Sequence, residues 1–181
     1  MAAQEPKPEF ADLVEAHARE IHAFVWRLLR EEAEAEDVLQ SAFLRAFRAY
    51  DRLPGGANYR AWLYKIAGNE ARTQLRKRAR RPAELPDGFP ALAPSVEHQA
   101  EQRMRLREVA QAVEGLPHKQ RSSLILRNYQ GLSYAEIGEI LELSPEAARA
   151  NVYQALRKLR DRFVTDPAAP SARLRIEERV R

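Results

Sequence analysis

The stretch that most constrains the fold of this chain runs from Leu132 to Leu159 and contains two helical patterns separated by a short turn. Ser133 followed by Glu136 forms a capping box, which satisfies the first amide groups of a helix. Ser144 and Pro145 supply the N-cap and the first residue of a second helix. Two short helices joined by a tight turn are typical of a helix-turn-helix, whose second helix enters the major groove of DNA.

The second of these helices is amphipathic. Its apolar stripe consists of Ala148, Val152, Ala155, Leu156 and Leu159. Its other face carries polar side chains that suit phosphates and base edges, namely Arg149, Asn151, Tyr153, Gln154, Arg157 and Lys158. The pattern favours binding to duplex DNA, although an ordinary helical hairpin with a solvated face would carry the same residues.

The rest of the chain also predicts helices. Its 181 residues include only seven Gly, and apolar positions recur with helical rather than alternating spacing. Helical patterns stop at one segment, which contains Pro82, Pro86, Pro90 and Pro94 and is expected to be extended. We therefore expect an all-α fold of two small helical domains joined by a Pro-rich linker, with the helix-turn-helix in the C-terminal domain.

The expected domain bounds follow from these breaks in the pattern. The N-terminal domain covers residues 9–81, a flexible linker covers 82–95, the C-terminal domain covers 96–164 and a charged tail covers 165–181. At roughly 3 Å per residue, an extended linker of this length spans several tens of Å. The two domains are therefore expected to be able to sit well apart.

The N-terminal domain is expected to contain three helices. The first starts at Phe10, the second covers about 34–50 and the third covers about 57–80. The second helix has a broad apolar face that we predict to be buried, made of Val38, Leu39, Ala42, Phe43, Ala46, Phe47 and Tyr50. In the C-terminal domain, a helix before the helix-turn-helix offers three large side chains to the core: Leu124, Leu126 and Tyr129.

The third helix combines aromatic residues at its start with cations at its end. Tyr59 and Trp62 lie near its beginning, and between Arg72 and Arg81 there are six cations and no acid. Rings that stack on exposed bases and guanidinium groups that hold phosphates suit single-stranded or melted nucleic acid. The alternative is that the rings are core residues and the cations form a solvated terminus that complements the helix dipole.

No motif for catalysis, a cofactor or a metal occurs in the sequence. Cysteine is absent, no phosphate-binding Gly-rich loop is present, and the His residues do not form a metal-binding spacing. We therefore expect a protein that is not an enzyme and that uses no cofactor and no metal. Because no apolar run approaches the length of a membrane helix and no signal peptide is evident, we expect a cytoplasmic protein without membrane insertion.

Several motifs, taken in order, resemble the extracytoplasmic-function (ECF) class of sigma factors of bacterial RNA polymerase. The first module contains EDVLQSAFLRAF at 36–47 and YRAWLYKIAGN at 59–69, followed by the basic run. The second module contains Leu116-Pro117, Gln120-Arg121 and GLSYAEI at 131–137. The resemblance covers most of residues 10–163. It implies a protein that directs promoter recognition by core RNA polymerase and that an anti-sigma protein can hold inactive.

The resemblance also implies roles for particular residues. The residues that match the polymerase-docking helix are Asp37, Gln40 and Phe43. The loop 52–58 matches the one that receives a flipped base of the minus-ten element. Residues implied to hold that melted strand are Asn58, Tyr59, Trp62, Asn69, Arg72 and Arg76. The face implied to read the minus-thirty-five element as duplex consists of Arg149, Asn151, Tyr153, Gln154 and Arg157.

The sequence departs from the family pattern at the recognition helix. Residues 147–150 read Ala-Ala-Arg-Ala where the family often has Thr-Val-[Lys/Arg]-Ser, and Asn151 and Gln154 stand where many members carry Arg. Asn and Gln prefer adenine edges, whereas Arg prefers guanine. We therefore predict an upstream element with adenine at one contacted position, or a weak upstream contact.

A further departure lies in the docking helix, and together these departures keep other functions open. Ser41 replaces the acid that is common after the Gln in the docking helix, which weakens the match there. The altered recognition helix also suits a helical adaptor that binds partners without opening promoters. A stand-alone helix-turn-helix regulator, which would bind duplex DNA without polymerase, is the other alternative.

Overall fold

The computed structural model describes residues 7–80 and 97–164, and this part of the chain consists of helices and loops without a β-strand. Its helices, in order, are α1 (Phe10–Leu29), α2 (Glu32–Tyr50), α3 (Tyr59–Ala79), α4 (Glu97–Glu114), α5 (His118–Asn128), α6 (Tyr134–Leu141) and α7 (Pro145–Val164). The all-α fold expected from the sequence is confirmed. The linker expected at 82–95 and the tail expected at 165–181 lie outside the described residues.

Side-chain caps determine where the N-terminal helices begin. The carboxylate of Glu31 accepts hydrogen bonds from the backbone amides of Ala33 and Glu34, so α2 starts slightly earlier than predicted. The side-chain oxygen of Asn58 accepts a hydrogen bond from the amide of Ala61 at 3.1 Å and starts α3. Each cap satisfies an amide that the helix itself cannot, which is why the chain changes direction at these residues.

The core of the N-terminal domain lies between α1, α2 and α3. Ile21, Phe24 and Leu28 of α1 are almost completely buried. The ring of Phe24 meets the buried ring of Tyr64 from α3 edge-on, with 5.4 Å between the ring centroids. Because burying one such side chain contributes about 1.5–3 kcal/mol, this core fixes α3 against α1.

The buried face of α2 is narrower than the one predicted. Its buried positions recur at intervals of three or four residues and are Ala35, Val38, Ala42, Ala46 and Tyr50. Leu39 and Phe43 are half-buried, and Phe47 is 63% exposed, so the prediction that Phe47 is buried is wrong. The two neighbouring helices cover only one stripe of α2, and Phe47 lies at its border, with one edge against the ring of Phe10.

The helix-turn-helix expected in 132–159 is present as α6, a short turn and α7. The hydroxyl of Ser133 accepts from the amide of Glu136 at 3.2 Å, and the carboxylate of Glu136 accepts from the amide of Ser133 at 2.7 Å. The capping box is therefore confirmed. Ser144 caps α7 by accepting from the amide of Ala147 at 3.1 Å, also as predicted.

The C-terminal core matches the sequence prediction except at one residue. Leu124 and Leu126 are buried, as are the first three residues of the apolar stripe predicted for α7: Ala148, Val152 and Ala155. Tyr129, which we predicted in the core, is 65% exposed. Its ring lies under the guanidinium of Arg27 from α1, with 4.6 Å between the guanidinium carbon and the ring centroid, so it contacts the other domain instead.

The two domains pack against each other in this structure rather than standing apart. Helix α1 contacts α5, and α3 contacts α6. One continuous apolar cluster contains Ile21 and Phe24 of the N-terminal domain together with Ile125, Leu126 and Ile137 of the C-terminal domain. The linker is long enough to let the domains separate, but here they are in contact. Both domains present apolar side chains at the boundary, and burying these side chains against each other stabilises the contact.

Candidate nucleic-acid interface

The outward face of α7 carries the residues predicted to contact duplex DNA. Arg149, Tyr153 and Arg157 are all exposed, and the ring of Tyr153 is 62% accessible. The buried stripe on the opposite side of α7 holds the helix against the domain core. Within the part of the chain that the structure describes, this face is supported from behind and left accessible, as a helix that enters a major groove requires.

The two carboxamide side chains on α7 are engaged with the domain itself. The amide nitrogen of Asn151 donates to the carbonyl of Ala147 at 2.9 Å, and Asn151 is half-buried. The side-chain oxygen of Gln154 accepts from the amide nitrogen of Gln120 at 2.7 Å. Asn151 would have to exchange its bond to Ala147 for one to a base before it could read adenine.

The turn of the helix-turn-helix depends on a glycine that sequence reasoning missed. A Cβ at Gly138 would lie 2.6 Å from the carbonyl oxygen of Leu143, closer than such atoms approach. The same segment contains Glu142 in the left-handed conformation, with φ of 54°. A glycine in the middle of the first helix, five residues before the end of the turn, is the sequence signal that reveals this close approach.

The α3 stripe, consisting of Lys65, Asn69, Arg72 and Arg76, is the second candidate nucleic-acid surface. Its members follow one another at intervals of four, three and four residues, so they share one face of the helix. Asn69, Arg72 and Arg76 are exposed and Lys65 is half-exposed. The predicted residue Asn58 lies just before the stripe as the N-cap of α3. The structure thus places an amide and three cations in one row, an arrangement that suits the row of phosphates in a nucleic-acid backbone.

The aromatic residues at the start of α3 are half-buried. The sequence left open whether these rings stack on bases or belong to the core, and their position is compatible with both. The centroids of Tyr59 and Trp62 lie 6.0 Å and 6.4 Å from the ring of Tyr50. The hydroxyl of Tyr59 donates to the carbonyl of Pro54 at 3.0 Å and so fixes the loop 52–58. Part of each ring therefore supports the core, and the remaining part is accessible to a base.

The residues predicted to dock on polymerase occupy the outer side of α2. Asp37 and Gln40 are exposed and line a groove between α2 and α3, whereas Phe43 is half-buried and packs against the core. Two large apolar side chains farther along α2 are exposed, Leu44 at 53% and Phe47 at 63%. The sequence did not reveal that Leu44 and Phe47 are exposed. Phe47 belongs to the apolar face that we predicted to be buried, and Leu44 lies next to that face.

Burial and positive charge act together on His118, the first residue of α5. Burial lowers the pKa of His118 to about 4, and the charges of Arg72, Arg121, Arg76 and Lys119 act in the same direction. The ring nitrogen Nδ1 is buried and has no hydrogen-bond partner. The imidazole of His118 is therefore neutral at pH 7, at the point where the N-terminus of α5 lies near Arg72 and Arg76 of the α3 stripe.

The described residues contain neither a group of metal ligands nor a membrane-spanning helix. Within residues 7–80 and 97–164, no three His, Asp or Glu side chains are grouped so that they could hold a metal ion. None of the helices in these two ranges is both long and apolar enough to span a bilayer.

Comparison with known proteins agrees with this geometry. Residues 13–81 match the model of sigma-70 region 2, and residues 106–159 match the model of sigma-70 region 4. The chain is 32% identical over 163 residues to the RNA polymerase sigma-H factor of Pseudomonas aeruginosa, an alignment that covers 82% of this chain and 83% of that protein. It is also 32% identical over 133 residues to the ECF RNA polymerase sigma-E factor of Escherichia coli strain K12, covering 67% of this chain and 70% of the relative.

A solved structure shares the arrangement of the helices. The sigma factor RpoE from Bartonella quintana, in complex with the anti-sigma factor NepR, superposes with a TM-score of 0.67 at 25% sequence identity. The superposition covers 87% of this chain and 98% of that one.

Two regions of the sigma-70 type in one all-helical chain define the class of protein. The chain belongs to the sigma factors of bacterial RNA polymerase, and within them to the ECF class, as its sequence motifs indicated. Sigma factors are not a family of catalytic enzymes, and they act by directing transcription initiation at promoters.

Proposed function

We propose that this sigma factor divides promoter recognition between two surfaces, with the α3 stripe and loop 52–58 holding the melted minus-ten strand and the outer face of α7 reading the minus-thirty-five element as duplex. The observation that carries the proposal is the alignment of Asn58, Lys65, Asn69, Arg72 and Arg76 along one face of α3. A line of cations and amides suits a single phosphate backbone, and the accessible edges of nearby aromatic rings suit unpaired bases.

Melting would follow from differential binding. A surface that binds unpaired bases better than duplex shifts the equilibrium toward the open form. Removing a base from the stack costs a few kcal/mol, and stacking on an aromatic ring such as Tyr59 or Trp62 is worth about 1–3 kcal/mol per base, so the two are of similar size. The chain supplies binding energy only, so it acts without catalysing a reaction itself, and the polymerase synthesises the RNA.

Docking on core RNA polymerase is assigned to α2. Asp37 and Gln40 provide exposed polar contacts, and Leu44 and Phe47 add apolar area next to them. Exposed large apolar side chains on one helix are typical of a protein-binding surface. An anti-sigma protein is a second expected partner, since the sigma factor of Bartonella quintana was solved in complex with the anti-sigma factor NepR. Since both partners act inside the cell, the proposal includes a cytoplasmic location.

Run-off transcription with purified core polymerase on genomic fragments tests the function. We expect new start sites when the protein is present and none when it is absent. Asp37→Lys should abolish both polymerase capture and the new transcripts, whereas Glu15→Lys, an equal change of charge on the exposed side of α1, should preserve them. If the wild-type protein neither binds core polymerase nor starts RNA at new sites, the adaptor or stand-alone regulator becomes the better description.

A further inference from the structure

The first helix of the helix-turn-helix makes polar contacts with the start of α3. The carboxylate of Glu139 accepts a hydrogen bond from the side-chain nitrogen of Asn58 at 3.0 Å. The ammonium of Lys65 lies 2.7 Å from the carboxylate of Glu142. A guanidinium nitrogen of Arg60 lies 3.8 Å from the carboxylate of Glu136. Three acids spaced three residues apart, two on α6 and one at its C-cap, thus meet three donors at one end of α3. They are called here the acidic face of α6 (Glu136, Glu139 and Glu142).

Other contacts hold the C-terminal domain in this position. Arg121 of α5 is buried and donates to the carbonyl of Arg27 at 3.0 Å, and Gln130 donates to the carbonyl of Glu20 at 3.3 Å. Arg30 pairs with Glu114 at 3.5 Å. These bonds place α5 along α1, and the shared apolar cluster lies beneath them. Several contacts along the domain boundary, and not only those of α6, therefore keep the acidic face next to α3.

The acidic face and a nucleic-acid strand require the same donors. Carboxylate and phosphate oxygens both accept charge-assisted hydrogen bonds from ammonium, guanidinium and amide nitrogens. Asn58 and Lys65 cannot donate to Glu139 and Glu142 while they hold a strand in the same positions. The two occupants therefore exclude each other at this end of the α3 stripe.

The polar pairs are weak enough to be reversed. The side chains of Lys65 and Glu142 are 41% and 70% exposed, and exposed ion pairs contribute little and are screened by salt. At the other end of the stripe, Arg72 and Arg76 lie near Lys119 at the N-terminus of α5, so the stripe meets the acidic face only at its Lys65 end. A closed state of this kind is readily displaced by a partner that binds the open state better.

We propose that the free chain is autoinhibited by its own helix-turn-helix: the acidic face of α6 occupies Asn58 and Lys65 in place of the phosphates of a melted promoter strand. The inference rests on the proposed strand-holding role of α3. Docking on polymerase, which must separate the two domains to reach two promoter elements, would release the α3 stripe. Strand binding and domain closure are then alternative states of one surface.

Domain separation in the full-length chain tests the contact directly. The chain has no cysteine, so Glu15→Cys and Lys158→Cys introduce a unique pair of sites for fluorescent dyes on exposed positions of α1 and α7. Energy transfer should report a short distance in low salt. Either Lys65→Glu or Glu142→Lys should lengthen the distance, and the charge swap carrying both changes should restore it. Glu108→Lys, the same charge change on the exposed side of α4, should have no effect.

Binding of a random-sequence pool of single-stranded DNA, at one fixed salt concentration, tests the competition. Because Glu142→Lys removes the carboxylate partner of Lys65 without changing Lys65 itself, it should raise affinity about twofold to fivefold beyond the change seen with Glu108→Lys. The inference would be overturned if Glu142→Lys and Glu108→Lys bound the DNA equally well. It would also be overturned if neither Lys65→Glu nor Glu142→Lys changed the distance between the dyes. Run-off transcription by wild-type protein tests the sigma function independently, so its failure is distinguishable from failure of the closed state.

Discussion

Arg60 of α3 and Glu20 of α1 are joined by two parallel hydrogen bonds, from Nε to one carboxylate oxygen at 2.9 Å and from Nη2 to the other at 2.7 Å. Both side chains are partly buried, and His17 contacts the same carboxylate at 2.8 Å. This pair fixes the start of α3, which carries the candidate strand-binding residues, against α1. Its geometry is accessible only to a guanidinium, since an ammonium cannot bind both oxygens in this way.

Removing the guanidinium should destabilise the N-terminal domain. Arg60→Ala leaves Glu20 partly buried without its main partner, and we expect a loss of about 1–2 kcal/mol in the free energy of unfolding. Arg60→Lys should lose less, because it keeps the charge and one hydrogen bond. Denaturant unfolding at pH 7 measures both values. Equal stability of Arg60→Ala and the wild type would show that the pair contributes nothing.

The same pair predicts a loss of stability in acid. Burial acts to raise the pKa of Glu20, but hydrogen bonds and positive charge from Arg60 and His17 outweigh it and the pKa is lowered. A carboxyl whose pKa is lower in the folded state stabilises the fold above its unfolded pKa, roughly 4.3, and loses that contribution as the pH falls through the folded value. Glu20→Gln should therefore flatten the unfolding profile below about pH 4.3, and an unchanged profile would contradict this assignment.

His118 predicts a second, separate dependence on pH. Its pKa of about 4 lies below the ordinary value of about 6.5, so between these limits the unfolded chain takes up a proton that the folded chain does not. Stability should therefore fall as the pH drops from about 6.5 to about 4, by roughly 1–2 kcal/mol once solvent screening is allowed for. His118→Gln should abolish this loss. Unfolding free energies measured at pH 7 and at pH 4.5 give the comparison, and parallel losses in both proteins would rule out His118 as the source.

Gly138 should not accept a side chain. A Cβ would lie 2.6 Å from the carbonyl oxygen of Leu143, a backbone atom that cannot move without changing the turn. We expect Gly138→Ala to cost about 1–3 kcal/mol and to weaken upstream DNA binding, because α7 would shift relative to α6. Gly115→Ala is the matched control, since a Cβ there would lie 3.6 Å from the carbonyl oxygen of Ala112, an ordinary contact distance. Similar stabilities of the two variants would show that the turn is more adaptable than the structure indicates.

The features that sequence reasoning predicted best are those decided locally. The capping box of Ser133 and Glu136 and the N-cap at Ser144 involve residues three positions apart, and the structure contains both. The buried stripe of α7 follows from the helical period alone. Such features need no knowledge of distant parts of the chain.

The features that were missed depend on which element packs where. Phe47 and Tyr129 occur in patterns that suit a core, yet neighbouring helices do not cover them and both are mostly exposed. The contact between Lys65 and Glu142 joins residues from different domains, and no local pattern reports it. The close approach at Gly138 likewise depends on how tightly the turn folds back. The periodicity of the sequence shows which face of a helix is apolar. It does not show how much of that face a neighbouring helix covers.

The recognition helix gives the last prediction, which separates a phosphate contact from a base contact. Arg149 is exposed and free to approach the DNA backbone, so Arg149→Ala should weaken binding to all upstream sequences alike and reduce the salt dependence by about one phosphate contact. Asn151→Ala should instead reduce the preference for adenine at one position of the upstream element, by about 1–3 kcal/mol. Selection from a randomised upstream element with reconstituted holoenzyme measures both effects.

The bond from Asn151 to the carbonyl of Ala147 makes this test informative in either direction. Reading adenine requires Asn151 to give up a hydrogen bond that α7 does not need, since the helix already satisfies that carbonyl, so the exchange is inexpensive. If Asn151→Ala leaves the base preference unchanged, the side chain serves the helix and not the promoter. Upstream binding would then rest on phosphate contacts from Arg149 and Arg157, and the selected sequences should show little preference at any single position.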